Sequence, residues 1–199
     1  MQILAVYGSP RRNGNTSTLL DHAVKGAETA GAMVEKVVLR DLRKFSPCLE
    51  LYGCKKDGRC VINDDFQAVY EKLLTCKALM LASPIFFYTV SALTKTLMDR
   101  CQSLWVKKYW VDKIAPGEKV AHKRNGLFIS VGATKGKKLF DGTLLTVRYF
   151  FDVLDMELWN SLLYRGLDFE GDVFKHPEYL KEAYDTGVAL AKTIQAENL

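Results

Sequence analysis

Short apolar runs alternate with longer amphipathic stretches along most of this chain. Residues 3–7 (ILAVY) form an unbroken apolar run, the pattern of a strand buried on both faces. Leu19, Leu20, Ala23 and Ala27 follow at helical spacing, with Gly31 as a stop. Val34 to Leu39 predicts a second strand, and an irregular segment with three cysteines comes next. Asp64 or Asp65 then caps a predicted helix containing Phe66, Val69, Tyr70 and Leu73.

Ala78 to Ala82 (ALMLA) predicts the third strand, running into SPIFFYT. Helical spacing resumes at Ser91, with Leu93, Leu97, Cys101 and Leu104 on one side. Residues 106–125 mix Lys, Trp, Pro and Gly and read as a long basic excursion within one domain spanning 1–199. Gly126 to Val131 predicts a fourth strand, Phe140 to Phe151 a helix, and Leu154 to Trp159 an edge strand. After a break at Gly166 and Gly171, a last helix runs from about Pro177 to Ala196. Five strand–helix repeats predict an α/β fold with a parallel sheet covered on both faces.

Composition changes this picture little. Apolar residues make up 48% and charged residues 26%, an ordinary globular balance. No run is long enough to span a bilayer, and no leader pattern opens the chain, so the expected location is the cytoplasm. The net charge of +5 is concentrated in Lys107, Lys108, Lys119, Lys123, Arg124, Lys135, Lys137 and Lys138. These residues read as a solvated face or as steering for a small anion; with no nucleic-acid motif beside them, no nucleic-acid partner is expected.

In an open parallel sheet, ligands gather at the C-terminal strand ends near the switch in strand order. Three loops qualify here: 8–17, 83–90 and 130–136. In the first, Gly8 permits a tight strand exit, Ser9 and Arg11 offer a hydroxyl and a cation, and Asn15, Thr16 and Ser17 open a helix. Convergent backbone N–H groups at such a start bind anions. The glycines Gly8 and Gly14 match neither the dinucleotide fingerprint nor the nucleotide-triphosphate loop, so a terminal monophosphate fits best. Pro84, Phe86, Phe87 and Tyr88 in the second loop offer flat surface to a heteroaromatic ring, and Gly132 and Thr134 close the third side.

GSPRRNGNTSTLL, SPIFFYTVSALTKTLMDR and PCLELYGCKKDGRCVINDDF together resemble the NAD(P)H-dependent FMN reductase group of flavodoxin-like proteins, in particular its iron-sulfur flavoprotein branch. The resemblance spans nearly the whole chain. It implies a flavodoxin-like three-layer sandwich with a five-stranded parallel sheet, and one FMN-binding domain with a cysteine-bearing loop at 46–62. It implies phosphate contacts from Ser9, Arg11, Asn15, Thr16 and Ser17. Ring and ribityl contacts would come from Pro84, Ile85, Phe86, Phe87 and Tyr88, with Gly132, Ala133 and Thr134 along another edge. It also implies a homodimer or homotetramer, NADH or NADPH as reductant, and a small-molecule or protein electron acceptor.

In that branch four cysteines hold an iron-sulfur cluster, but here the second position is Leu51, which cannot ligate iron. Cys48, Cys54 and Cys60 are therefore expected in a metal-free loop beside the flavin. The alternatives are a cluster completed by water or Asp57, or a zinc site. Cys76 and Cys101 read as buried packing, and His22, His122 and His176 as local polar structure. Ser9 has no histidine–acid relay, so a hydrolase is not expected, and no side chain is assigned as a catalytic acid or base. The alternatives to an FMN reductase are an electron-transfer flavoprotein reduced by a protein partner and a non-enzymatic phosphate-binding module.

Overall fold

All residues of the runs Ile3–Tyr7 and Ala78–Ala82 are buried, as strands covered on both faces require. They lie at the centre of the sheet in the computed structural model, which describes residues 2–115 and 124–197. In chain order the elements are β1 (Gln2–Tyr7), α1 (Asn15–Thr29), β2 (Met33–Val38), α2 (Phe66–Thr75), β3 (Ala78–Ala82) and α3 (Ala92–Arg100). Then come α4 (Gln102–Val106), β4 (Arg124–Gly132), α5 (Asp141–Val153), β5 (Met156–Arg165) and α6 (Pro177–Ala196). The sheet order is β2-β1-β3-β4-β5 and every neighbouring pair is parallel. The chain reverses its direction of travel between β1 and β3, so the switch point lies where those strands end.

Helices α1 and α6 cover one face, packing Leu19, Leu20, Ala23, Leu190 and Ile194 against Ile3, Met80 and Ile129. Helices α2, α3 and α5 cover the other, packing Phe66, Leu73, Leu97, Val147 and Phe151 against Leu4, Leu79 and Phe128. Each such aliphatic or aromatic side chain contributes roughly 1.5–3 kcal/mol by leaving water. The α1–α6 contact is backbone to backbone: a Cβ on Gly187 would lie 1.9 Å from the Ala23 carbonyl oxygen. No helix among the described residues is long and apolar enough to cross a membrane.

The expected elements are present, with shifted ends. The edge strand starts at Met156 rather than Leu154, because Leu154 caps α5 and Asp155 turns the chain at φ 53°. It then continues to Arg165, since pairing with β4 persists as far as Gly132. The basic excursion is partly regular: α3 continues into α4 and a π-helical turn, Lys107–Val111. Two of its cations are structural, not solvated. Lys108 is buried and donates to the Asp155 carboxylate at 2.7 Å and the Asp152 carbonyl at 2.9 Å. Arg124 donates to the carbonyls of Leu73 and Cys76, at the end of α2, and of Leu154. Lys119, His122 and Lys123 lie outside the described residues.

Asp64 does more than open a helix. Its Oδ1 accepts from the Phe66 N–H, while both its oxygens pair with Arg100, at 2.6 and 2.9 Å, in a contact almost closed to solvent. Arg100 also donates to the carbonyls of Ser46 and Ile62, so one side chain from α3 joins both ends of the cysteine-bearing loop. Burial disfavours the Asp64 charge, but Arg100 and the Ser46 and Phe66 N–H groups outweigh it and hold the carboxyl below its ordinary value.

Asp64→Asn should lower the unfolding free energy by roughly 3 kcal/mol at neutral pH, because it leaves a buried guanidinium unpaired. A depressed carboxylate pKa stabilises fully above the unfolded value of about 3.9 and is lost as pH falls through the folded one. The gap between wild type and variant in urea unfolding should therefore narrow on acidification. A gap as wide at about pH 3 as at neutrality would refute the assignment.

Candidate functional site

The site is built where β1, β3 and β4 end. Gly8, leaving β1, donates its N–H to the Ala82 carbonyl at 2.8 Å and accepts from Ser91 Oγ at 2.5 Å. A Cβ at Gly8 would lie 1.9 Å from Thr94 Oγ1, so the strand exit must be glycine. The chain then turns through Ser9 to Arg11 and enters α1 behind Gly14. That N-cap residue has an extended backbone, φ −68° and ψ 153°, and has no side chain to cap the first turn. The N–H groups of Asn15, Thr16 and Ser17 point outward there, toward the positive end of the helix. Ser9, Asn15, Thr16 and Ser17 are all buried, and Ser17 Oγ has no hydrogen-bond partner.

The second loop continues sheet pairing beyond β3. Ser83 N–H donates to the Ile129 carbonyl and Ile85 N–H to the Val131 carbonyl. Ser83 Oγ accepts from Ser91 N–H, and Ser91 Oγ caps α3 through Thr94 N–H. Beyond it, Phe86 and Thr89 exchange both backbone hydrogen bonds across a two-residue turn. Its central residues, Phe87 and Tyr88, have φ 49° and 61°, a conformation that favours Asn and Gly and strains aromatic residues. Phe87 is 99% exposed, so no packing within the chain compensates for this strain.

A cavity of about 120 Å³ joins the three loops. Ser9, Arg11, Asn15 and Thr16 line it from the first, Pro84, Ile85 and Phe86 from the second, and Gly132 and Ala133 from the third. Ser17, Phe87, Tyr88 and Thr134 do not line it. A fourth segment, absent from the sequence reading, completes the wall with Leu167 and Asp168. It is tied to the first loop: Arg11 donates to the Asp168 carbonyl, Asn15 Nδ2 donates to the Phe169 carbonyl, and Asn15 Oδ1 accepts from Val173 N–H. The Asn15 side chain is thus committed to structure, and only its backbone N–H faces the cradle. The signal available was the strand-end rule itself, since this segment follows β5 at the same sheet edge.

The cysteines lie elsewhere. Cys48, Cys54 and Cys60 line a second cavity, between their own loop and the α3–α4 segment. Burial pushes the Cys54 thiol up, and that of Cys76, beneath the sheet, to about 11. No group of three His, Cys, Asp or Glu side chains among the described residues is gathered closely enough to hold a metal ion. A larger apolar groove, about 710 Å³, runs past Trp105, Tyr109 and Tyr149, away from all the expected site residues.

Residues 1–156 match the family model of NADPH-dependent FMN reductase. An iron-sulfur flavoprotein of Methanocaldococcus jannaschii is 33% identical over 126 residues, which span 63% of this chain and 65% of that one, less than two thirds of its length. Among solved structures, an NAD(P)H:quinone oxidoreductase from Methanothermobacter marburgensis superposes with a TM-score of 0.70 at 16% identity, covering 96% of each chain. An archaeal flavodoxin superposes at 0.57 and 14% identity, over 98% of this chain and 99% of that one. These two likenesses establish a flavodoxin-like fold. Cys48, Cys54 and Cys60, with Leu51 in the remaining place, supply one thiol fewer than a cysteine-held four-iron cluster takes. The uncapped α1 start and the unpartnered Ser17 hydroxyl do fit a phosphate ester.

Phe87→Asn should stabilise the flavin-free protein by about 0.5–1 kcal/mol, since Asn tolerates positive φ and an exposed ring loses no packing. A thermal midpoint about 2 °C higher is the expected reading. A lower midpoint would mean that the ring makes stabilising contacts.

Proposed function

The chain belongs to the NADPH-dependent FMN reductase family, and from that premise we propose an FMN-dependent oxidoreductase that takes hydride from NADH or NADPH and passes electrons to a flavin, a quinone or another acceptor. The observation that carries this reading is the uncapped start of α1, set among buried polar residues in a cavity bounded by the loops of one sheet edge. In this reading the phosphate monoester is held by the N–H groups of Asn15, Thr16 and Ser17, by the hydroxyls of Ser9, Thr16 and Ser17, and by Arg11. Among the described residues lining the cavity, Arg11 alone is cationic. Its guanidinium exchanges the Asp168 carbonyl, a neutral acceptor, for a charged phosphate oxygen, a stronger partner.

Bound FMN supplies the hydride acceptor and electron carrier. The chain's part is placement. Pro84 to Tyr88 support the ring system, with the turn holding Phe87 and Tyr88 beside it. The Gly132–Thr134 loop closes another edge, and Gly132 is fixed by donation from Gly166 N–H to its carbonyl at 2.8 Å.

Arg11→Ala should weaken FMN binding by about tenfold to a hundredfold, the worth of one charge-assisted contact, and riboflavin binding by less than about twofold. Equal weakening of both ligands would remove Arg11 from the phosphate site. For the reaction, FMN-loaded protein mixed anaerobically with NADH and with NADPH should lose its visible flavin absorbance at a rate that supports turnover with at least one donor. Failure with both would leave the electron-transfer flavoprotein, reduced by a protein partner, as the better reading.

A further inference from the structure

The cavity beside the cysteine loop measures about 480 Å³, within the range of small-ligand pockets. Its walls are largely apolar, with Leu49, Leu51 and Val61 from the loop and Val106 from α4. Tyr52 and Trp110 line it as well, and the Lys55 ammonium lies over both rings, 4.2 Å and 5.0 Å from their centroids. Two ring faces hold this cation in place without neutralising it. Lys55 makes no ion pair with a carboxylate among the described residues. The other charged groups at the cavity are already answered or solvated: Asp99 pairs with Lys95, and Glu50 is exposed at the rim. The loop also holds Glu50 and Tyr52 at φ 50° and 58°, left-handed conformations that neither helix nor strand imposes.

An oriented cation without an anion, two aromatic faces and aliphatic walls open to solvent together specify a ligand. We propose that this cavity binds a small planar aromatic anion. Its carboxylate meets Lys55 Nζ, its ring lies against Tyr52, Trp110 and the aliphatic walls, and its edge faces the thiols of Cys48, Cys54 and Cys60. The ligand's own ring covers the exposed walls as it binds, and the protein's rings fix its plane. The site is separate from the flavin cradle, because none of the residues lining one lines the other. It therefore stands whether or not the reductase reading does.

The test uses FMN-loaded protein, with 2-naphthoate as probe and its uncharged amide, 2-naphthamide, as control, both titrated by calorimetry. The acid should bind saturably, leave the flavin spectrum in place and bind at least about tenfold more tightly than the amide, a difference of about 1.4 kcal/mol. Lys55→Met, a change at an exposed position, should abolish that preference. At saturation the acid should also slow iodoacetamide alkylation of Cys48, Cys54 and Cys60, read by peptide mass spectrometry. No saturable binding, equal affinity for acid and amide, release of FMN by the acid, or unprotected thiols would each overturn the proposal.

Discussion

The structure depends on how closely the backbone of β1 approaches α3 at Gly8. Nothing larger than a hydrogen fits there, with Thr94 Oγ1 and the Ala82 carbonyl on either side. That contact brings the strand exit, the second loop and the cap of α3 onto one set of hydrogen bonds centred on Ser83 and Ser91. Only because β1 leaves the sheet at this point does α1 begin within reach of both neighbouring loops. The cradle is therefore a property of sheet topology first and of its polar side chains second.

The fold was legible because buried parallel strands and amphipathic helices have different periods, and this chain keeps them distinct. Ala78–Ala82 was read to the residue; the edge strand was not, because partial exposure breaks the apolar run that marks a central strand. The gathering of Ser9, Arg11 and Thr16 about one cavity was legible because a helix start after a buried strand has few other uses for so many small polar residues. Asn15 was legible as present but not in its role: its side chain stitches the 168–173 segment to the site through contacts more than 150 residues away in sequence. Arg100 and Lys108 were out of reach for the same reason. A cation reads as surface until its partners, Asp64 and Asp155, are known to lie beside it.

The two cavities divide the labour of binding differently. The proposed flavin cradle presents backbone donors on a rigid sheet edge, with Arg11 the one cation among the described residues that line it. The thiol-lined cavity rests on a loop with left-handed residues, and its character comes from Lys55, Tyr52 and Trp110 acting together. Loops held at such conformations persist only when something over-determines them, and here Arg100 supplies that restraint from below.

Helix α3 is thus committed at both ends: Ser91 is bound into the strand-end knot and Arg100 into the base of the cysteine loop. A helix turns about 100° per residue. One residue inserted or lost between these anchors would swing the guanidinium off Asp64, or pull Ser91 out of register with Gly8, and no side-chain exchange could repair either. Divergence among descendants of this sequence can thus alter what α3 shows to solvent, but it cannot alter how many residues the helix contains.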